Sequence, residues 1–204
     1  MGRNSGETFN FFDNFIRAAF LEEISKMVII IFFCTRNDEF DEPMDGLVYG
    51  VAASLGFAAY ENINYVLYAL EEPSFELATI RAYTAVPLHA ICGIMMGFLI
   101  TQSIFEKNHN YLNLVLALLI PVGIHGLYNF SLTSSLISYE IAYVILVVFI
   151  IRAWFLFKNL KKKQSQSIIF NKKHYTISLN QFINASTTVL LIILGLNYLV
   201  SITL

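Results

Sequence analysis

The chain has 204 residues, 56% of them hydrophobic and 14% charged, with mean hydropathy +0.61. A soluble domain carries about a quarter charged residues, so this composition argues against a soluble globule and against disorder. The formal net charge of −2 provides no basic field, so no nucleic acid partner is expected. The two cysteines, Cys34 and Cys92, lie in apolar runs and form neither a metal spacing nor a disulfide framework.

A bilayer core of ~30 Å needs about 20 mostly apolar residues in a helix. Six windows qualify: Phe15–Cys34, Gly46–Leu70, Pro87–Phe105, Leu112–Phe130, Tyr139–Phe157 and Ala185–Leu204. The fold class is therefore all-α, a polytopic transmembrane helix bundle of about six spans. The first window is interrupted by Arg17, Glu22, Glu23 and Lys26. Short polar connections are expected at Thr35–Asp45, Glu71–Val86, Glu106–Tyr111 and Ser131–Ser138, and one long one at Lys158–Asn184. This divides the chain into a core over residues 1–157, a basic loop over 158–184 and a C-terminal transmembrane helix over 185–204. The start lacks a basic region followed by an apolar core, so no signal peptide is expected. It also lacks Ser or Thr at position 6, which argues against myristoylation.

Seven of the 13 Lys and Arg fall between Arg152 and Lys173, and no Asp or Glu follows Glu140. The positive-inside rule places the 158–184 loop in the cytoplasm and, counting back, the amino terminus outside. A multi-pass plasma membrane protein is expected, with Lys161–Lys163 touching anionic lipid. His109 and His174 read as loop residues without a functional role.

Charged groups at mid-membrane cost about 2.5–3.5 kcal/mol each on insertion scales, so they usually face a bundle interior or water and have a task. Here these are Glu22, Glu23 and Lys26 in the first helix, Glu61 in the second, His89 in the third and His125 in the fourth, accompanied by Asn62 and Asn129. In an alternating bundle the start of helices one and three is level with the end of helices two and four. All these residues therefore fall in one half of the membrane, the outer half in the orientation above. Glu22 and Lys26 share a helix face and can pair; Glu23, one residue further round, need not share that pairing. His125 and Asn129 also share a face. Small residues let the helices approach closely: Gly46, Gly50, Ala53 and Ser54 in the second helix, and Gly93-Ile-Met-Met-Gly97 in the third.

Carboxylates and imidazoles in a low-dielectric cavity suit activation of water by a general base, with His and Asn donating to a developing oxyanion. Equally, Glu and His can hold Zn²⁺. Neither a His-Glu-x-x-His helix nor a Gly-x-Ser-x-Gly elbow occurs. Hydrolysis by activated water ranks above an acyl-enzyme route.

Four segments resemble the PrsW family of intramembrane proteases: Glu22-Glu23-Ile-Ser-Lys26; Asp45-Gly-Leu-Val-Tyr-Gly50 continuing to Gly56-Phe-Ala-Ala-Tyr-Glu61-Asn62; Arg81 to His89; and His125-Gly-Leu-Tyr-Asn129. They occur in family order and lie within residues 21–130. The family is similar to the wider CAAX-protease and bacteriocin-processing group. The resemblance implies a multi-pass membrane peptidase acting on a membrane-anchored protein or peptide, without fixing which one. Family members often carry further helices before the Glu-Glu motif, whereas 21 residues precede Glu22 here. The residue roles expected are Glu22 and/or Glu23 as general base or ligand, and Glu61 as a second carboxylate. His89 and His125 are expected as ligands or oxyanion donors, with Lys26, Asn62 and Asn129 in support. The metal reading groups Glu61, His89 and His125 around Zn²⁺; metal-free, glutamate-activated water stays open beside it. Asp45 reads as a helix N-cap and Arg81 as an interfacial anchor. Two other classes stay open: an ion- or proton-coupled transporter, and a non-catalytic relative that binds a membrane peptide.

Overall fold

The computed structural model describes residues 2–68, 74–105, 111–166 and 176–203; these are helical throughout apart from short turns. His109, His174, Glu71, Glu72 and most of the Glu106–Tyr111 connection lie outside the described residues.

The first helix, α1 (residues 2–34), is longer than its apolar window. Gly2–Phe12 and Leu21–Ile29 are α-helical, while Asp13–Phe20 and Ile30–Cys34 are wide π-helical turns. The junction residues Phe12, Leu21 and Ile30 all keep right-handed helical dihedrals, so the rod is continuous. Helix α2 (residues 43–68) starts on Pro43, whose missing N–H and fixed φ suit the first helical turn. Asp45 is not its N-cap. Glu42 is, and Asp45 lies three residues further on, its Oδ2 accepting from the Glu42 N–H at 2.7 Å and the Asp41 N–H at 3.0 Å. A capping box needs that position for the returning carboxylate.

The 71–86 connection is not simply a loop. It holds a short helix, α3 (Phe75–Tyr83), capped by Ser74 Oγ accepting from the Leu77 N–H at 3.1 Å. The chain bends at Thr84 (φ −124°, ψ −71°) and continues as α4 (Ala85–Phe105). Helices α5 (Tyr111–Thr133), α6 (Glu140–Gln166) and α7 (Leu179–Thr203) follow. The connection after α6 is therefore shorter than 158–184. Helix α7 begins six residues before its apolar window because Ser178 and Gln181 cap each other's backbone, at 3.2 and 2.9 Å.

Among the described residues, four segments are long and apolar enough to cross a membrane: Phe75–Phe105, Tyr111–Thr133, Glu140–Lys162 and Leu179–Thr203. Helices α1 and α2 are not among them; α1 carries Asp13, Arg17, Glu22, Glu23 and Lys26. Helices α6 and α7 lie at the periphery and expose Val144, Val147, Ile151, Leu191, Leu199 and Ile202. In water this would be an aggregating surface; in a bilayer it is the lipid-facing one.

Helices α2 and α4 run antiparallel and touch backbone to backbone. A Cβ added at Gly46 or Gly97 would strike the other's helix, and likewise at Gly50 and Gly93. Each step of four along α2 is matched by a step of four back along α4. Continued outward, this register brings the end of α2, with Glu61 and Asn62, beside Arg81 of α3. One apolar core joins α1, α4, α5 and α7 through Ala19, Met27, Met96, Leu118 and Val189; a second joins α4, α5 and α6 through Leu88, Cys92, Ile124 and Ile145.

Candidate active site

The polar residues that the sequence placed at one depth converge from four helices. On α1, Glu23 and Lys26 are fully buried; His89 of α4 and His125 of α5 are nearly so. Lys26 Nζ donates to Glu23 Oε1 at 2.7 Å and to His89 Nδ1 at 2.7 Å. An ammonium can only donate, so His89 Nδ1 is the acceptor and its proton sits on Nε2. That Nε2–H meets Glu61 Oε2 at 2.7 Å. Glu61 Oε2 also accepts from Arg81 Nη2 at 2.8 Å, while Arg81 Nε donates to Asn62 Oδ1 at 2.6 Å. The guanidinium lies 4.1 Å over the Tyr65 ring, and Lys26 lies 4.9 Å over Phe57.

On the other side, His125 Nδ1 meets Glu23 Oε1 at 2.9 Å. A carboxylate only accepts, so His125 carries a proton on Nδ1, which in the neutral ring leaves Nε2 with a free lone pair. That nitrogen faces Glu22 Oε2 at 3.9 Å, too far for a hydrogen bond. Glu22 Oε2 and Glu23 Oε2 are buried without a hydrogen-bond partner. The His89 and His125 rings stand edge to face, centroids 5.1 Å apart. Gly126 makes this possible locally, because a side chain there would run into the Phe15 ring of α1.

Three expectations change. Lys26 pairs with Glu23, not Glu22, because the i,i+3 spacing points inward while Glu22 turns to a cavity. Arg81 is part of the cluster and not an interfacial anchor. Glu22, more than Glu61, completes a set with the two histidines: donor atoms of Glu22, His89 and His125 lie within 4.8 Å of one another. Asn62 holds Arg81, and Asn129 lines the cavity. The sequence signal for Arg81 was its place in the segment that ends at His89; the helix that aims it inward was not visible.

Glu22, Glu61, Arg81, His89, His125 and Asn129 share a cavity of about 400 Å³, walled further by α3 and the start of α6. Its rim carries the Asp13–Arg17 ion pair. Nearby, the start of α1 is tied to the α5–α6 turn. Glu7 accepts from Ser134 Oγ at 2.7 Å and from the Ser135 N–H at 2.9 Å. These bonds hold the Glu7 carboxyl down at about 2, the Ser135 hydroxyl contributing most.

The family described as PrsW family intramembrane metalloprotease matches residues 2–154, three quarters of the chain. The chain belongs to this family. It is similar to Protease PrsW of Oceanobacillus iheyensis, 34% identical over 161 residues, which cover 79% of this chain and 71% of that protein. Protease PrsW of Bacillus subtilis is 34% identical over 163 residues, 78% and 71% of the two chains. That of Geobacillus kaustophilus is 40% identical over 121 residues, 59% and 52%. No solved structure gives a significant match. The PrsW match selects an intramembrane protease over a transporter, and the four segments quoted above lie inside the matched region.

A PrsW-type metalloprotease needs a metal, and the donor set fits one in part as it stands. One carboxylate and two imidazoles is a familiar catalytic zinc set. Glu22 Oε2 is an orphaned acceptor and His125 Nε2 a bare lone pair, oriented by the bond from its other nitrogen to Glu23, as a ligating His generally is. Their 3.9 Å separation is close to the ~3.3 Å between ligands bound tetrahedrally at ~2.0–2.1 Å. His89 is different: both its nitrogens are engaged, so it joins such a set only by giving up Lys26 or Glu61.

Proposed function

We propose that the chain hydrolyses a membrane-anchored protein or peptide in the outer half of the bilayer, with Glu22, His89 and His125 holding Zn²⁺. The observation that carries this reading is the pairing of orphaned Glu22 Oε2 with bare His125 Nε2 inside a cavity also lined by His89 and Glu61. When bound, zinc supplies Lewis acidity and an activated water at neutral pH. The chain's residues do the rest. Glu23 orients His125 from beneath, and His89 would join the set through Nδ1, giving up Lys26 and keeping its Nε2–H bond to Glu61. Arg81 and His89 hold Glu61 Oε2, which leaves Oε1 to take the proton of the attacking water and deliver it to the leaving amine. Such proton transfer contributes about 10²–10⁴-fold. Asn129 is placed to donate to the oxyanion of the scissile carbonyl. The apolar walls of the cavity exclude bulk water, which strengthens each of these interactions. The outer half is supported by the cavity's lying beside Ala142 and Tyr143 at the start of α6, away from the basic end that the positive-inside rule assigns to the cytoplasm.

The test is metal analysis of the purified, detergent-solubilised protein beside Glu22→Ala, His125→Ala and Glu61→Ala, with cleavage of a membrane-anchored peptide followed in parallel. Near-stoichiometric zinc is expected in the wild type and in Glu61→Ala. It should be lost from Glu22→Ala and His125→Ala, and all three variants should fail to cleave. A metal-free wild type that still cleaves would overturn the zinc assignment in favour of water activated by glutamate alone.

A further inference from the structure

A second cavity, of about 490 Å³, lies between α4 and α6, away from the site described above. Phe98 and Gln102 of α4 wall one side; Arg152, Leu156, Asn159 and Lys162 of α6 wall the other. On α6 these residues recur at helical spacing, so they form one stripe. Its apolar members, Leu156 and Leu160, are buried against the bundle, while Arg152 and Asn159 are exposed. Arg152, Gln102 and Asn159 have no hydrogen bond or ion pair among the described residues. Among the described residues, no acidic side chain lines the cavity.

A guanidinium and two amides that open toward lipid without a partner among the described residues call for an explanation, because hydrocarbon offers polar groups nothing to bond. Their depth supplies one. On a neighbouring face of α6, Lys158 Nζ lies 4.9 Å over the Trp154 ring, an aromatic–basic pair of the kind that marks the interface. Arg152 and Asn159 bracket that level, where phosphate groups lie. The donor set, a fork-shaped cation and two amides, matches an anionic oxygen cluster. The apolar walls, Phe98 and Leu156, match an acyl chain leading away from it.

We propose that this groove binds the phosphate headgroup of an anionic glycerophospholipid from the leaflet at the basic end of α6. A soluble anion would have to enter through the headgroup layer, whereas a lipid is already there at high local concentration; the membrane source is therefore the one the geometry favours. Basic pockets between transmembrane helices are a recognised way to hold such headgroups.

The experiment is native mass spectrometry of the detergent-solubilised chain titrated with phosphatidylglycerol, with phosphatidylcholine as the zwitterionic control. The wild type should retain one phosphatidylglycerol at least tenfold more strongly than phosphatidylcholine. Arg152→Leu should abolish that preference and Gln102→Ala should weaken it, with Arg152→Lys intermediate. Lys161→Gln, which removes the same charge outside the groove, should leave it intact. Leucine suits an exposed position in a bilayer, and Gln102→Ala provides an independent reading if Arg152→Leu does not fold. Equal retention in Arg152→Leu and wild type would overturn the proposal. So would equal losses in Lys161→Gln and Arg152→Leu, which would indicate diffuse attraction. Displacement of the lipid by millimolar inorganic phosphate would also overturn it, in favour of a soluble anion site.

Discussion

Lys26 is the most constrained residue in the molecule. It is fully buried, its ammonium neutralises Glu23, and it fixes the proton position on His89. Removing one member of a buried pair leaves the other charge uncompensated, at a cost of about 3–5 kcal/mol. Lys26→Met should therefore lower the unfolding midpoint in detergent strongly, and Glu23→Gln together with Lys26→Met should recover much of the loss. A double variant no better than the single one would mean the pair is not coupled. Arg81→Gln should keep the fold, because Arg81 belongs to a short outer helix with no fully buried residues. It should slow cleavage by about 10–100-fold, since Glu61 then loses the charge that holds Oε2. The polar residues themselves were legible in the sequence because charge is costly in a membrane and stands out. Which carboxylate pairs with Lys26 was not, since i,i+3 and i,i+4 partners are both in reach on a helix surface.

At the scale of elements, the α2–α4 contact sets the depth at which Glu61 meets His89. The sequence offered Gly46 and Gly50 beside Gly93 and Gly97 as small residues that allow close approach; it did not show which faces which, and that fixes the register. Gly93→Val would drive a side chain into the Gly50 carbonyl and Ser54. Overpacking costs about 1–3 kcal/mol, and here backbone has to give way, so both stability and cleavage should fall. Gly195→Ala, whose added carbon meets nothing within 4 Å, should change neither. Helix α3 escaped the sequence reading because nine residues without an apolar stripe do not register as a span. The caps at Ser74 and Ser178 were readable signals, overshadowed by the apolar windows. The tie between Glu7 and the α5–α6 turn makes its own prediction. Its folded-state carboxyl lies near 2 against an ordinary 4.5, so its stabilisation is complete above about pH 4.5 and is lost as pH falls toward 2. The melting midpoint of Glu7→Gln should lie below that of the wild type at pH 6, and the gap should close in acid. A gap that persists unchanged at low pH would show that the carboxylate charge plays no part.

For the whole molecule, composition and the length of the apolar runs were enough to give a helical membrane bundle. They could not show that α1 is one rod of 33 residues, because its first turns are polar and carry no span signal. The convergence in depth of six polar residues came from chain order alone, since alternating helices force it; their pairing needed packing that no single helix encodes. The same alternation, anchored by the basic residues at the end of α6, predicts orientation. In a background with both native cysteines replaced by serine, Ser138→Cys should react with a membrane-impermeant thiol reagent on intact cells. Lys161→Cys should react only after permeabilisation. The reverse pattern would invert the topology and move the site to the inner half.

The widened turns over Asp13–Phe20 make the chain sensitive to its own length. They accommodate residues that ordinary α-turns would not, and they do so just before Glu22. Deleting Ala18 would let the segment tighten, but each residue of helix carries about 100° of rotation and 1.5 Å of rise. Everything ahead of the deletion would swing by that amount relative to the glutamates, and Glu7 and Asn14 would lose Ser134 and Thr133. A reading frame intact in every codon but one residue short should thus disable the enzyme more completely than Ala18→Ser at the same position.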